Sequence, residues 1–148
     1  MGKSEISQCA LVYRRCMRNV LLVAAAVIFD GDRVLACRRS PDKAAGGKWE
    51  FPGGKVEDGE LPEEAVRREI SEELATEIRV VDELTTDDTE VGDVTIRLIC
   101  LRAQLVTDPP VYSTDHDRLM WMPVEELMSL DWATPDLPVV EMLMAQRV

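Results

Sequence analysis

The chain alternates between apolar runs and short polar breaks, and this spacing predicts several β-strands. One apolar run extends from Val20 to Phe29, and a second covers residues 33–38. Asp30-Gly31-Asp32 between them has the composition of a tight turn, so the two runs are expected to pair as a hairpin. Apolar residues at alternate positions predict three more strands, at Ile78, Val80 and Leu84, at Ile96, Leu98 and Cys100, and from Leu119 to Met122.

One amphipathic helix is predicted over Pro62–Leu74. Val66, Ile70 and Leu74 recur every four residues, so they form a stripe that packs on a core. Proline suits the first helical position, where an N–H would have no helical acceptor. Leu61 would be the N-cap and offers no side-chain acceptor, so the two glutamates after Pro62 are expected to support this end through the helix dipole.

The remaining elements lie in the second half of the chain. A polar loop is predicted at Thr85–Asp93, a short helix from Pro123 to about Leu130, and a terminal helix from Thr134 to about Gln146. The resulting order is β-β-α-β-β-β-α-α. An order of this kind is typical of an α/β fold, in which helices cover a sheet.

Three glutamates of the predicted helix stand apart from its apolar stripe. Glu69, Glu72 and Glu73 are spaced at i, i+3 and i+4, so they share one face. A solvated acidic helix could also carry them, but like charges at this spacing destabilise a helix by a few tenths of a kcal/mol per pair. A bound cation would remove that repulsion. Mg²⁺ fits because it prefers oxygen ligands and accompanies phosphates, and Mn²⁺ shares that preference.

Length and composition predict one domain. The chain has 148 residues, 46% of them hydrophobic, which is enough to bury a substantial core. No linker or repeat divides it, so the domain is assigned to residues 20–148, after a disordered extension at residues 1–19. The net charge is −11, to which the extension contributes +3 and the domain −14. Such an acidic domain is not expected to bind nucleic-acid polymers, and an anionic substrate must arrive with divalent cations.

Cysteine usage and hydropathy bear on cellular location. The sequence has no Cys-x-x-Cys pair, and its single histidine, His116, cannot complete a zinc site. Reduced thiols and a cytoplasmic protein are therefore expected. Three arginines before Val20–Phe29 imitate a signal peptide, but the run is short and the turn after it favours a strand. No membrane span is expected, and the oligomeric state is left open between monomer and homodimer.

The spacing Gly54-x5-Glu60-x7-Arg68-Glu69-Ile70-x-Glu72-Glu73 resembles the Nudix box. Six fixed identities coincide, each with a background frequency of about 5 to 7%, so chance explains little. The chain is also similar to the MutT-like branch of the Nudix hydrolases in three further segments, Arg38-Arg39, Trp49–Gly54 and Trp132–Asp136. The resemblance implies an α/β/α sandwich around a mixed β-sheet, with the box forming a loop-helix-loop.

Two positions depart from the family pattern just after the carboxylates. Ala75 replaces glycine, and Thr76 replaces an aliphatic residue. Glycine would allow the helix to end in a left-handed turn, and alanine in that conformation costs about 1 kcal/mol. We expect this departure to lower stability and to leave the chemistry intact.

The resemblance also implies roles for the residues of the box. Arg68 orients the carboxylates beside it, and Gly54 and Glu60 are supporting residues. The metal-binding atoms are one backbone carbonyl and three carboxylates, those of Gly53, Glu69, Glu72 and Glu73.

A further carboxylate is expected late in the chain. In MutT-type members it lies six residues before a tryptophan, which here is Asp115 before Trp121. Asp115 is assigned as metal ligand or general base, and a role as a loop-capping aspartate is kept open. With Glu69, Glu73 and Arg68 it completes the expected catalytic set.

For a MutT-type enzyme the resemblance implies Mg²⁺-dependent cleavage of a nucleoside triphosphate to nucleoside monophosphate and pyrophosphate. Asp136 takes the place of an asparagine in the 8-oxoguanine enzyme of this branch. An ionised carboxylate only accepts hydrogen bonds, which suits the exocyclic amine of cytosine, so CTP, dCTP or 5-methyl-dCTP is favoured. An aspartate in the first turn of a helix could instead stabilise that helix through its interaction with the helix dipole. Arg39, Phe51 and Trp132 are the other candidate substrate contacts.

Other functions are ranked lower. An 8-oxo-dGTP hydrolase is the first alternative. An ADP-ribose pyrophosphatase tends to carry a proline some way after the box, and this chain has none between Pro62 and Pro109. A sensor that binds nucleotides without hydrolysis would tolerate loss of Glu72 or Glu73, yet both are present.

Overall fold

A computed structural model describes residues 19–146. The expected extension at residues 1–19 lies outside this range except for Asn19. The described part contains a seven-stranded sheet, whose strands are β1 (Asn19–Asp30), β2 (Arg33–Arg39), β3 (Trp49–Glu50), β4 (Gly53–Lys55), β5 (Ile78–Val91), β6 (Val94–Leu105) and β7 (His116–Pro123). The helices are α1 (Pro62–Leu74) and α2 (Leu137–Ala145), with 3-10 helices at Val124–Ser129 and Thr134–Asp136.

Strand β1 is the centre of the sheet. It pairs in parallel with β6 over nearly its whole length, and in antiparallel fashion with β2 and β4 on its other edge. The order β3-β2-β1-β6-β5 is extended by β7, which pairs with β2. Both faces of β1 are covered, so it reads as a continuous apolar run. The interpretation of Val20–Phe29 as a core strand is confirmed.

The two faces of the sheet bury separate apolar clusters. On one face, Val66, Ile70 and Leu74 of α1 pack on inward residues of β1 and β6. On the other face, α2 and the nearby 3-10 helix pack on a cluster that includes Phe51 and Trp132. A sheet covered by helices on both faces is the expected α/β/α sandwich, and that prediction is confirmed.

Helix α1 begins and ends as its sequence predicts. Leu61 is the N-cap without a side-chain hydrogen bond, and its backbone N–H donates to Glu64 Oε1 at 3.0 Å. At the other end, Ala75 adopts the left-handed conformation, with φ 51° and ψ 40°. This is the conformation that glycine adopts at little cost and alanine does not.

The predicted polar loop at Thr85–Asp93 is wrong. Strand β5 continues to Val91, and only Gly92 and Asp93 form the turn into β6. The polar residues belong to an exposed antiparallel ribbon in which charges pair across the strands, as Asp88 does with Arg97 at 2.8 Å. Cross-strand ion pairs replace the apolar alternation on which strand recognition depends.

Other differences concern short elements. Strands β3 and β4 were expected as loop, because two or three residues are too few to show a period. The predicted helix after Pro123 is a 3-10 helix, and the predicted terminal helix is a 3-10 turn followed by α2. These short strands nevertheless matter, since they carry the segment Trp49–Lys55 past the start of the box.

Candidate active site

Strand β4 and helix α1 bring Gly54 against the carboxyl group of Glu69. A Cβ added to Gly54 would clash with the carboxyl group of Glu69, so only glycine lets this carboxylate lie against the strand. A Cβ at Gly53 would instead clash with the backbone of Ala24 in β1. Gly54 therefore makes room for a site residue, whereas Gly53 makes room for the pairing of β4 with β1.

Arg68 is the centre of a hydrogen-bond network on α1. Its Nε donates to Glu60 Oε2 at 2.8 Å, its Nη1 donates to Glu69 Oε1 at 2.8 Å, and its Nη2 donates to the Lys55 carbonyl at 3.1 Å. The hydrogen bond from Arg68 lowers the pKa of Glu60 to about 2. The guanidinium thus fixes Glu69 from one side while Glu60 holds the guanidinium, which is the arrangement expected of supporting residues.

Glu72 and Glu73 differ sharply in exposure. The side chain of Glu72 is 62% exposed and lies 3.5 Å from Arg68, whereas Glu73 is buried. In the described part of the chain, no three His, Cys, Asp or Glu side chains already stand in an arrangement that would hold a metal ion. Glu69 and Glu72 both contact Arg68, at 2.8 Å and 3.5 Å.

The loop that carries Asp115 is fastened to the end of α1. The backbone N–H of Thr114 donates to the Glu73 carbonyl at 3.1 Å, and the Asp115 carbonyl accepts from the backbone N–H of Ser40 at 3.2 Å. The Ser113 hydroxyl accepts from the backbone N–H of Asp115 at 3.2 Å. These contacts bring Asp115 next to Glu73, although the two are far apart in the sequence.

Glu73 lies in a strongly electronegative environment. Burial, a hydrogen bond with Glu69 and the nearby charge of Asp115 raise the pKa of Glu73 to about 9. Among residues 19–146, its Oε2 is the one buried side-chain nitrogen or oxygen without a hydrogen-bond partner. A divalent cation would neutralise this crowding and occupy the unpaired oxygen, and oxygen donors suit Mg²⁺. The donor set therefore fits such an ion.

The candidate base-recognition residues lie together, but most of them are buried. The rings of Phe51 and Trp132 are 4.8 Å apart, and these two residues and Asp136 are 3%, 5% and 5% exposed. Asp136 Oδ2 accepts from the backbone N–H of Phe51 at 2.9 Å. Contact between a base and these groups requires side-chain movement. Arg39 is more accessible and donates to Glu50 at 3.1 Å.

Burial changes the expected chemistry of Asp136. It raises the pKa of this carboxyl well above its usual range, an effect that the hydrogen bond from Phe51 only partly opposes. The sequence argument assumed an ionised group that only accepts. Burial weakens that assumption, because a protonated carboxyl can donate as well as accept.

Sequence analysis missed a buried polar chain behind Asp115. His116 is buried; its Nε2 lies 2.8 Å from Glu50 Oε2, and its Nδ1 lies 2.7 Å from the Ser113 hydroxyl. Glu50 in turn accepts from Arg39. In the sequence, only the adjacency of His116 to Asp115 hinted that His116 lies beside the site. A contact between residues 50 and 116 has no local sequence signal.

Comparison with known proteins agrees with the geometry. The NUDIX domain model matches residues 20–143. The chain belongs to the NUDIX family. It is 35% identical over 133 residues to a protein of Escherichia coli (strain K12) named CTP pyrophosphohydrolase, covering 88% of this chain and 96% of that protein. It is 36% identical over 123 residues to a Mycobacterium tuberculosis protein (strain H37Rv) named putative 8-oxo-dGTP diphosphatase 2. The match covers 81% of this chain and 84% of that protein.

A solved structure of the E. coli ORF135 protein has the same fold. It superposes with a TM-score of 0.73 at 32% identity, covering 88% of this chain and 92% of that one. The chain is therefore a NUDIX hydrolase of the MutT-like type, a group that includes named nucleotide pyrophosphohydrolases. Within residues 19–146, none of the helices is long and apolar enough to cross a membrane.

The two departures from the NUDIX box have local explanations. Ala75 is strained in the left-handed position that the box reserves for glycine. Thr76 is buried, but its hydroxyl donates to the Asp108 carbonyl at 2.9 Å and contacts the Thr107 hydroxyl at 3.0 Å. The box can therefore hold a threonine here, because the loop after β6 satisfies the polar atom.

Proposed function

We propose that this protein is a Mg²⁺-dependent pyrophosphohydrolase that converts a nucleoside triphosphate to the monophosphate and pyrophosphate, with a preference for cytosine nucleotides. The observation that carries the proposal is the crowding of Glu73 with Glu69 and Asp115, including the unpaired buried oxygen of Glu73. A partly buried group of carboxylates on a chain of net charge −11 serves an anionic substrate only together with cations.

Five groups of the site are proposed metal ligands. The carboxylates of Glu69, Glu72, Glu73 and Asp115 and the carbonyl of Gly53 would hold the metal. Bound Mg²⁺ supplies Lewis acidity towards phosphate oxygens and lowers the pKa of a water molecule. Mn²⁺ would serve similarly because it accepts the same oxygen ligands.

The protein groups supply positioning and proton transfer. Arg68 keeps Glu69 in place through the 2.8 Å hydrogen bond, so that the carboxylate does not turn away when the substrate enters. Asp115 is partly exposed and borders the cluster, which suits a base that takes the proton of the attacking water. Glu73 is the other candidate base, since a bound cation would lower its raised pKa.

The base preference rests on Asp136 and on the relatives. One oxygen of Asp136 accepts from the Phe51 backbone N–H, and the other would accept from the N4 amino group of cytosine. The relative named CTP pyrophosphohydrolase supports this choice. An acceptor here would also fit a donor on a purine edge, and another relative is named putative 8-oxo-dGTP diphosphatase 2, so 8-oxo-dGTP is the second candidate.

Two further assignments complete the proposal. An acidic domain with buried free cysteines, Cys37 and Cys100, suits the reducing cytoplasm. We assign the protein as a monomer or homodimer acting on a small nucleotide. ADP-ribose hydrolysis and a non-catalytic sensor rank lower, because the relatives reported above are named for nucleotide hydrolysis.

A substrate panel tests the proposal. Pyrophosphate release is measured with Mg²⁺ from dCTP, CTP, 5-methyl-dCTP, 8-oxo-dGTP, dATP and ADP-ribose, each also with EDTA. The proposal expects Mg²⁺-dependent cleavage led by the cytosine compounds. A lead for 8-oxo-dGTP would keep the site and reject the base assignment, whereas no turnover of any compound would favour the sensor.

A further inference from the structure

Lys43 lies at the rim of the carboxylate cluster, and the chemistry described above does not use it. Its Nζ is 3.8 Å from Asp115 Oδ1, and the two side chains are 42% and 39% exposed. An exposed pair at this distance contributes little to stability. Its location beside a site residue therefore calls for another explanation.

The loop that carries Lys43 is held in one conformation against Asp115. Its first residue, Ser40, donates its backbone N–H to the Asp115 carbonyl, and Gly47 closes the loop by donating to the Arg39 carbonyl at 2.9 Å. Ala45 adopts a left-handed φ of 56°, which a non-glycine residue adopts only when its surroundings impose it. Lys43 is thus presented to the site by a constrained turn.

Two arginines near the site are already engaged in ion pairs. Arg68 contacts four glutamates of the box region, and Arg39 is bonded to Glu50. The single long contact of Lys43 leaves its ammonium free to reorient. If Asp115 held a metal ion, its charge would no longer balance this ammonium, and phosphate oxygens would be the natural partner of Lys43.

We propose that Lys43 binds the phosphate chain of the nucleotide substrate. This inference rests on the proposed function and adds to it a residue outside the NUDIX box. Its role is binding and not proton transfer, because the ammonium faces the rim of the cluster, beside Asp115. Loss of the charge should therefore raise KM and leave kcat nearly unchanged.

The test compares Lys43→Gln with Lys43→Arg and with a matched control, Lys48→Gln. Lys48 is 44% exposed and pairs with Asp131 at 2.8 Å, away from the carboxylate cluster. Steady-state kinetics with dCTP and Mg²⁺ should show KM raised about tenfold in Lys43→Gln, since a hydrogen bond to a charged group contributes roughly 1.5 kcal/mol or more. Lys43→Arg should retain most of the affinity, and Lys48→Gln should match wild type.

Binding provides a readout independent of turnover. Calorimetry with non-hydrolysable α,β-methylene-dCTP and Mg²⁺ should show the same weakening in Lys43→Gln. Equal affinities in Lys43→Gln and Lys48→Gln would overturn the inference, as would a loss confined to kcat or to Mg²⁺ affinity. If wild type hydrolyses none of the nucleotides, the proposed function fails. The inference about Lys43 is then tested by the calorimetric affinities alone.

Discussion

The backbone N–H of Thr114 donates to the carbonyl oxygen of Glu73 at 3.1 Å. Carbonyls in the last turn of a helix have no intrahelical donor, so this contact satisfies one of them. It also ties the loop of Asp115 to the helix that carries the other carboxylates. The site is therefore assembled by main-chain contacts, and the carboxylates are crowded before any metal binds.

Glu73 should make the stability of the metal-free protein depend on pH. Its pKa is raised from 4.5 to about 9 in the folded state. The folded protein therefore keeps a proton that the unfolded chain releases, so stability declines as pH rises from about 4.5 towards 9. Thermal unfolding in EDTA should show this decline, and Mg²⁺ should stabilise more strongly at higher pH.

The variant Glu73→Gln isolates that effect. Glutamine cannot ionise, so the Tm of Glu73→Gln should fall less steeply than the Tm of wild type as the pH rises. Glu63→Gln, an exposed substitution on the same helix, should follow the wild-type curve. Parallel curves for wild type and Glu73→Gln would show that Glu73 does not hold the proton.

Ala75→Gly should stabilise the protein by about 1 kcal/mol, because the left-handed conformation is strained for alanine. For a domain of this size that corresponds to a Tm increase of about 3 °C. Ala145→Gly, at the end of α2, is the control and should not stabilise, since glycine is the weaker helix former. A Tm for Ala75→Gly at or below wild type would refute the strain argument.

Gly54→Ala should lower the turnover of the enzyme, whereas Gly53→Ala should lower its stability. The added methyl group of Gly54→Ala meets only the Glu69 carboxylate, which can move, so the fold should survive while kcat falls about 100-fold. In Gly53→Ala the methyl group meets the backbone of Ala24, so the Tm should fall. Circular dichroism melts and dCTP turnover separate the two effects. Full activity in Gly54→Ala would show that the position of Glu69 is not critical.

Asp136→Asn should shift substrate choice away from cytosine. The single amide oxygen can still accept from the Phe51 backbone N–H, so the fold is retained, but the NH2 group left for the base cannot accept from the N4 amino group of cytosine. The ratio of kcat/KM for dCTP to that for 8-oxo-dGTP should fall about tenfold, since one base contact is worth roughly 1–3 kcal/mol. Asp131→Asn, at an exposed position of the same segment, serves as control. An unchanged ratio would show that Asp136 serves only as a structural hydrogen-bond acceptor.

The parts of the fold that depend on local pattern were predictable from the sequence. Strand β1, helix α1 and the left-handed end at Ala75 follow from periodicity and from one departure in the box. The second half of β5 was not predictable, because its polar residues pair with β6 across the ribbon, as Asp88 does with Arg97, and local spacing does not show such pairs.

The candidate site divides in the same way. The box carboxylates share a helix face, so their spacing alone groups them. The contacts between His116 and Glu50, and between Lys43 and Asp115, join distant segments and leave no trace in local spacing. The raised pKa of Asp136 depends on its burial, which residue identity does not reveal.

The most direct test of the central claim is turnover of dCTP with Mg²⁺, followed by phosphorus NMR in wild type, Glu73→Gln and the control Glu63→Gln. The account predicts that wild type and Glu63→Gln form dCMP and pyrophosphate, while Glu73→Gln is folded and inactive. Wild-type turnover in Glu73→Gln, or formation of dCDP and phosphate by wild type, would contradict it.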